Sequence, residues 1–120
     1  MTALTEATLD AVRFDARGLV PAIVQSVDGG DVRMLGYMNR EALVRTLRTG
    51  DVWFWSRSRG DFWRKGETSG NTLAVVEVLV DCDGDALLVR ARPHGPTCHT
   101  GAPSCFYRRL TPDDAQGGEG

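Results

Sequence analysis

The residues best equipped for chemistry fall between Asp81 and Cys105, as Asp81-Cys82-Asp83-Gly84-Asp85 and then Cys98-His99-Thr100-Gly101-Ala102-Pro103-Ser104-Cys105. This stretch holds all three cysteines of the chain and one of its two histidines. Thiolates are strong zinc ligands, and three of them at wide, uneven spacing match a catalytic zinc with one open position better than a closed four-ligand knuckle. The competing reading is that the cysteines are small buried hydrophobes. Asp81, Asp83 and Asp85 crowd three carboxylates into five residues, and their mutual repulsion calls for a cation. Asp83 with Gly84 is also a turn-forming dipeptide. The segment is no EF-hand, because glycine stands at its fourth rather than its sixth place and Arg92 occupies the place of the closing glutamate.

A second set of candidates is basic. Arg57 and Arg59 end an aromatic run, and the stretch from Gly60 to Asn71 adds Arg64, Lys65, Thr68, Ser69 and three glycines. Cations mixed with hydroxyls and glycine amides are the ingredients of an anion-binding nest, although the spacing is not that of a P-loop.

These groups need elements to position them. Leu4, Leu9 and Val12 have near-helical spacing, so residues 1–18 form an N-terminal helical segment. Two β-rich runs, Leu19 to Val27 and Val32 to Tyr37, flank a Gly-Asp turn and read as a hairpin, with Pro21 at an edge or bulge. Asn39 caps a helix from Arg40 to Thr49 that Gly50 closes, with Leu43, Val44 and Leu47 inward and Glu41 facing Arg45. A strand from Asp51 to Arg59 would set Trp53, Trp55, Arg57 and Arg59 on one face, ahead of a loop over residues 60–71. Thr72 to Val80 reads as a strand buried on both faces, Ala86 to Arg92 as its hairpin partner, and Phe106 to Leu110 as a last strand. Prolines 93, 96 and 103 make the cysteine-bearing segment a rigid irregular loop. The sum is a mainly β (α+β) fold, a mixed or antiparallel sheet or pseudobarrel of about seven strands in hairpins with one or two helices. Residues 19–110 form the single domain, and residues 111–120 a disordered acidic tail.

At 120 residues with a net charge of −2, the chain is one globular domain without the positive field of a general nucleic-acid or membrane binder. An odd cysteine count, no signal peptide and no long apolar run indicate a reducing, cytoplasmic setting.

Six blocks, in order, resemble the phosphoribosyl-AMP cyclohydrolase family of histidine biosynthesis: Leu19 to Gln25, Met34 to Asn39, Phe54 to Arg59, Trp63 to Gly70, Asp81 to Leu88, and Gly95 to Gly101 with Ser104 to Phe106. The resemblance implies a hydrolase that opens the adenine ring of phosphoribosyl-AMP between N1 and C6, giving a formimino-carboxamide ribotide. It implies zinc held by Cys82 of one subunit with Cys98 and Cys105 of its partner, magnesium held by Asp81, Asp83 and Asp85, and an intertwined homodimer with its site at the interface. Purine C6 is a poor electrophile, so the attacking water must be activated and the leaving nitrogen protonated. A thiolate-rich site polarises water less than one with neutral ligands. His99 is therefore the candidate base, with Glu67 the candidate proton donor; orienting a thiolate is the other role open to His99. Arg57, Arg59, Arg64 and Lys65 would hold the two phosphates, helped by Ser69 and Gly70.

Two rivals belong to other classes. The aromatic and basic alternation from Trp53 to Arg59 suits an OB-like single-stranded nucleic-acid binding module carrying a structural zinc, which the acidic overall balance disfavours. A thiol-redox pair of Cys98 and Cys105 is disfavoured by its spacing, which is not Cys-x-x-Cys.

Overall fold

The computed structural model describes residues 9–117 of the chain. Residues 1–8 of the expected N-terminal helical segment lie outside them, and residues 10–18 form turns and irregular backbone rather than helix. Six strands follow one another as β1 (Val20–Ser26), β2 (Val32–Met38), β3 (Trp53–Ser56), β4 (Asp61–Arg64), β5 (Leu73–Val80) and β6 (Leu87–Pro93), with helices α1 (Arg40–Thr49) and α2 (Pro112–Gly117). The fold is mainly β, as expected: a mixed four-stranded sheet in the order β2-β1-β6-β5 and a β3-β4 hairpin.

The first hairpin forms where the Gly-Asp turn placed it, with β1 antiparallel to β2 from Val20 opposite Met38. β1 also pairs in parallel with β6, Ala22 opposite Leu87. It is thus a central strand rather than an edge. Pro21 is tolerated because it lies one residue before that parallel ladder begins, where β6 asks no N–H of it. Alternation on β1 and β6 sends Val20, Ala22, Val24, Leu87, Val89 and Ala91 into the core.

Helix α1 is capped as its ends suggest. The Asn39 side chain accepts from the Ala42 N–H at 2.9 Å, and Gly50 takes the left-handed conformation at φ 80° with its N–H on the Thr46 carbonyl. Its buried stripe is Ala42, Leu43 and Thr46, with Val44 and Leu47 only partly buried. The stripe is turned from the expected one because Thr46 is satisfied inside: its hydroxyl donates to the Ala42 carbonyl at 2.8 Å and accepts from the Trp53 N–H at 3.0 Å.

Three expected strands differ. The strand opening at Trp53 ends at Ser56, where the Gly60 N–H bonds back to the Ser56 carbonyl at 2.8 Å, and the supposed loop contains β4. Cross-strand pairs Phe54 with Trp63 and Trp55 with Phe62 hold the hairpin, their rings 5.0 and 4.9 Å apart. β5 is an edge strand rather than a doubly buried one, leaving Val76, Leu79 and Val80 exposed. Phe106 to Leu110 is not a strand, since no ladder partner lies beside it among the described residues, and Phe106, Tyr107 and Leu110 are exposed. In the segment read as a disordered tail, Pro112–Gly117 is helical. Proline suits a first helical position, and the Asp114 carboxylate accepts from the Thr111 N–H at 2.7 Å.

Candidate functional site

The cysteine loop is built by its own backbone. The Thr97 and Cys98 N–H groups donate to the Pro103 and Ala102 carbonyls, and the Gly101 N–H donates to the Cys98 carbonyl at 3.0 Å, closing a tight turn. This turn is pinned to β2: the Cys105 N–H donates to the Arg33 carbonyl at 2.7 Å, Ser104 Oγ donates to the Val32 carbonyl at 2.6 Å, and the Arg33 guanidinium donates to the Pro103 carbonyl at 2.7 Å. Two cysteines far apart on the expected loop are thereby brought within interacting distance. The Thr100 hydroxyl donates to Cys98 Sγ at 3.1 Å. That bond, with the Thr100 amide, Cys105 and Lys65, draws the Cys98 thiol below its usual range. Burial of its sulfur and the neighbouring Cys98 push Cys105 the other way. The two neighbouring thiols are thus shifted in opposite directions, and a cation binding both would have to displace their protons.

Cys82 is elsewhere. It is exposed in the β5-β6 turn, and among the described residues the group of metal-ligating side chains with donor atoms within 4.8 Å of one another is Asp81, Asp83 and Asp85. Asp81 organises that turn by accepting from the Asp85 and Ala86 N–H groups at 2.9 and 3.2 Å. Burial would raise the Asp81 carboxyl, but its hydrogen bonds from Asp85 and Ala86 hold it low. The Asp85 carboxyl, sharing a proton with Asp83 and Asp81 and repelled by both, is pushed up to about 6. Hard carboxylate oxygens in this crowding fit a magnesium-type cation, and the paired sulfurs fit zinc once a third ligand is supplied.

A cleft of about 410 Å³ joins the cysteine loop to the segment after β4. Cys98, His99 and Thr97 form one wall, and Arg59, Lys65 and Glu67 belong to the other. Arg64 and Ser69 line it too, Arg64 also reaching Asp51 at 3.6 Å. Gly66, in the left-handed conformation at φ 85°, packs so closely on Asn71 and Thr72 that any Cβ would strike their backbone. Gly70 donates its N–H to Gly66 and is not part of the lining. Arg57 is in another place, its guanidinium 4.0 Å over the Tyr37 ring. The expected common face of Trp53, Trp55, Arg57 and Arg59 therefore does not exist, because the turn after Ser56 breaks the alternation. With it goes the surface on which the single-strand binding reading rested.

Thr97 and Trp63 were not singled out as site residues. Thr97 Oγ1 is buried without a hydrogen-bond partner among the described residues, a fact that no spacing announces. Trp63 carried a signal, standing directly before Arg64 and Lys65.

A family model described as Phosphoribosyl-AMP cyclohydrolase matches residues 34–107. Among curated proteins, the Phosphoribosyl-AMP cyclohydrolase of Pelotomaculum thermopropionicum is 59% identical over 105 residues, covering 88% of this chain and 81% of that protein. The protein of that name from Alkalilimnicola ehrlichii is 56% identical over 107 residues, 89% of this chain and 75% of its own length. The Histidine biosynthesis bifunctional protein HisIE of Thermus thermophilus is 61% identical over 102 residues, which are 85% of this chain and 48% of that longer protein.

Proposed function

Because the chain belongs to the phosphoribosyl-AMP cyclohydrolase family, we propose that it hydrolyses phosphoribosyl-AMP across the N1–C6 bond of the adenine ring, yielding the formimino-carboxamide ribotide used in histidine biosynthesis. The observation that carries the proposal is the cleft in which Cys98 and His99 face Arg59 and Lys65, a thiol and an imidazole opposite two cations. Neither cation has a carboxylate partner among the described residues. Arg59 and Lys65 bind and orient an anionic substrate, and the cysteine-loop wall meets its reacting ring.

Cys98 and Cys105 would hold zinc with Cys82 of a second copy, and Asp81, Asp83 and Asp85 would hold magnesium. The separation of Cys82 from the other two sulfurs supports a site completed between chains, and exposed Val76, Leu79, Val80, Phe106 and Tyr107 are apolar surface that a homodimer would cover. Zinc, when bound, supplies Lewis acidity that makes water nucleophilic near neutral pH. His99, exposed on the cleft wall beside Cys98, would take a proton from the attacking water, and Glu67, also in the cleft, would deliver one to the departing N1. Lys65 has a second duty, its charge favouring the Cys98 thiolate.

Among the described residues no helix is long and apolar enough to cross a membrane. Zinc-loaded protein with magnesium is expected to open the ring of phosphoribosyl-AMP, followed by ultraviolet absorbance, and chelator-stripped protein is not. A loaded protein without turnover would falsify the reading. His99→Ala is expected to slow turnover about a hundredfold with zinc retained, and an unchanged rate would remove His99 from the mechanism.

A further inference from the structure

The four cations that the sequence groups together fall into two clefts. Arg59, Arg64 and Lys65 line the cleft that contains Cys98. Arg57 lines a second, of about 450 Å³, with Tyr37, Phe54, Trp55, Ser58 and Trp63. Trp63 borders both, so the clefts are neighbours that share one indole. The turn between β3 and β4 sets this divergence, for Ser56 Oγ accepts from the Arg59 N–H at 3.2 Å and holds the two arginines on different courses.

The second cleft has the makings of an anion subsite with an aromatic floor. Arg57 has no carboxylate partner among the described residues. It is held over the Tyr37 ring instead, an arrangement that leaves guanidinium N–H donors open to a phosphate. Space for a planar ligand depends on Gly36, where any added Cβ would collide with the Phe54 ring.

Resting on the function proposed above, the substrate carries two phosphoribosyl arms on opposite edges of one purine, at N1 and N9, with the scissile bond beside the N1 arm. We propose that the phosphates bind in separate clefts: the N9 arm, which is the AMP half, ends on Arg57, and the N1 arm ends on Arg59 and Lys65, with the purine spanning the Trp63 edge. The assignment follows from chemistry. The N1–C6 bond must meet the wall that carries Cys98 and His99, and Arg59 and Lys65 share that cleft.

AMP and adenosine, compared as inhibitors of the zinc-loaded enzyme, test this, because they differ only in the N9-arm phosphate. The wild type is expected to bind AMP at least about tenfold more tightly than adenosine, and Arg57→Gln to lose about ten- to a hundredfold of that preference while raising KM for phosphoribosyl-AMP. Lys65→Gln should raise KM and leave the AMP preference intact. Arg57→Lys, which keeps a charge on the same turn, should recover part of the preference. The proposal is overturned if Arg57→Gln keeps the full preference, if Lys65→Gln is the variant that abolishes it, or if the wild type does not distinguish AMP from adenosine. A wild type that turns over phosphoribosyl-AMP in those circumstances leaves the proposed function standing. A wild type with no turnover removes both.

Discussion

Two turns of this molecule are organised by an aspartate in the same way, yet only one of them is crowded. Before β1, the Asp15 carboxylate accepts from the Arg17 and Leu19 N–H groups at 2.8 and 3.0 Å. Between β5 and β6, the Asp81 carboxylate accepts from the Asp85 and Ala86 N–H groups at 2.9 and 3.2 Å. Each turn needs one carboxylate to satisfy amides that the ladders leave over. The first stops there, and the Leu19 and Arg17 amides lower the Asp15 carboxyl. The second adds Asp83 and Asp85, and Asp85 rises to about 6. Among the described residues the turn amides bond to Asp81, and neither Asp83 nor Asp85 accepts a backbone N–H, so the extra acids bring repulsion without capping the turn. Charges arranged at a loss to stability are what the proposed cation site would require.

The comparison breaks most visibly if the extra acids are removed. Asp83→Asn with Asp85→Asn is expected to leave the metal-free protein at least as stable as the wild type, since it deletes repulsion and keeps Asp81 on its amides. If the acidic turn holds magnesium as proposed, the wild type should be stabilised by magnesium against heat, and the same variant should lose that stabilisation and most of the turnover, on the order of a hundredfold. Thermal melts with and without magnesium, beside the absorbance assay, decide it. A variant that melts well below the wild type without metal would show that Asp83 and Asp85 serve the fold after all.

A smaller effect concerns pH, and the two turns give it opposite signs. Asp85 holds its proton up to about 6 in the folded chain against an ordinary value of 3.8. Between those values the folded state carries more protons than the unfolded state, so metal-free stability falls as pH rises from about 4 to about 6. Asp15 has a lowered pKa, so its contribution is present above the ordinary range and is lost as pH falls through the folded value. Denaturant melts of metal-free protein across this range should show the decline toward pH 6 in the wild type and not in the Asp83→Asn, Asp85→Asn variant. A profile flat from pH 4 to 6 in the wild type would contradict the crowding.

What the sequence carried, and what it did not, divides along the same physical line. Local signals were readable: Asn39 by its side-chain oxygen and Gly50 by its left-handed backbone bracket α1, and the acidic turn announced itself through Asp83 and Gly84. Long-range placement was not. Nothing in Pro21 or Val24 says that β1 will lie parallel to β6, and the apolar run of β5 reads as buried whether its second face meets this chain or lies open. β4 was hidden because Phe62 and Trp63 point to opposite faces between charged neighbours, a pattern too short to show a period. The candidate cysteines, acids and cations could be named from residue type alone. That Arg57 leaves the other cations depended on the turn at Ser56, and that Cys98 meets Cys105 depended on the clamp at Arg33, neither of which has a sequence period.

The smallest test isolates the uncrowded turn. Asp15→Ala removes the acceptor for the Arg17 and Leu19 amides without touching the cleft that contains Cys98. Loss of a single capping carboxylate in a domain of this size is expected to lower the melting temperature by about 5 °C. Because Asp15 has no role with metal in this comparison, the shift should be the same with and without magnesium, and KM for phosphoribosyl-AMP should stay within about twofold of the wild type. Asn accepts a hydrogen bond as a carboxylate does, so Asp15→Asn should restore most of the melting temperature and also flatten the loss of stability below the ordinary carboxylate range. If magnesium instead changes the size of the Asp15→Ala shift, the two turns are coupled, as the Arg13 N–H bond to the Gly84 carbonyl at 2.7 Å would allow, and the turn before β1 would have to be counted as part of the acidic site rather than as its structural counterpart.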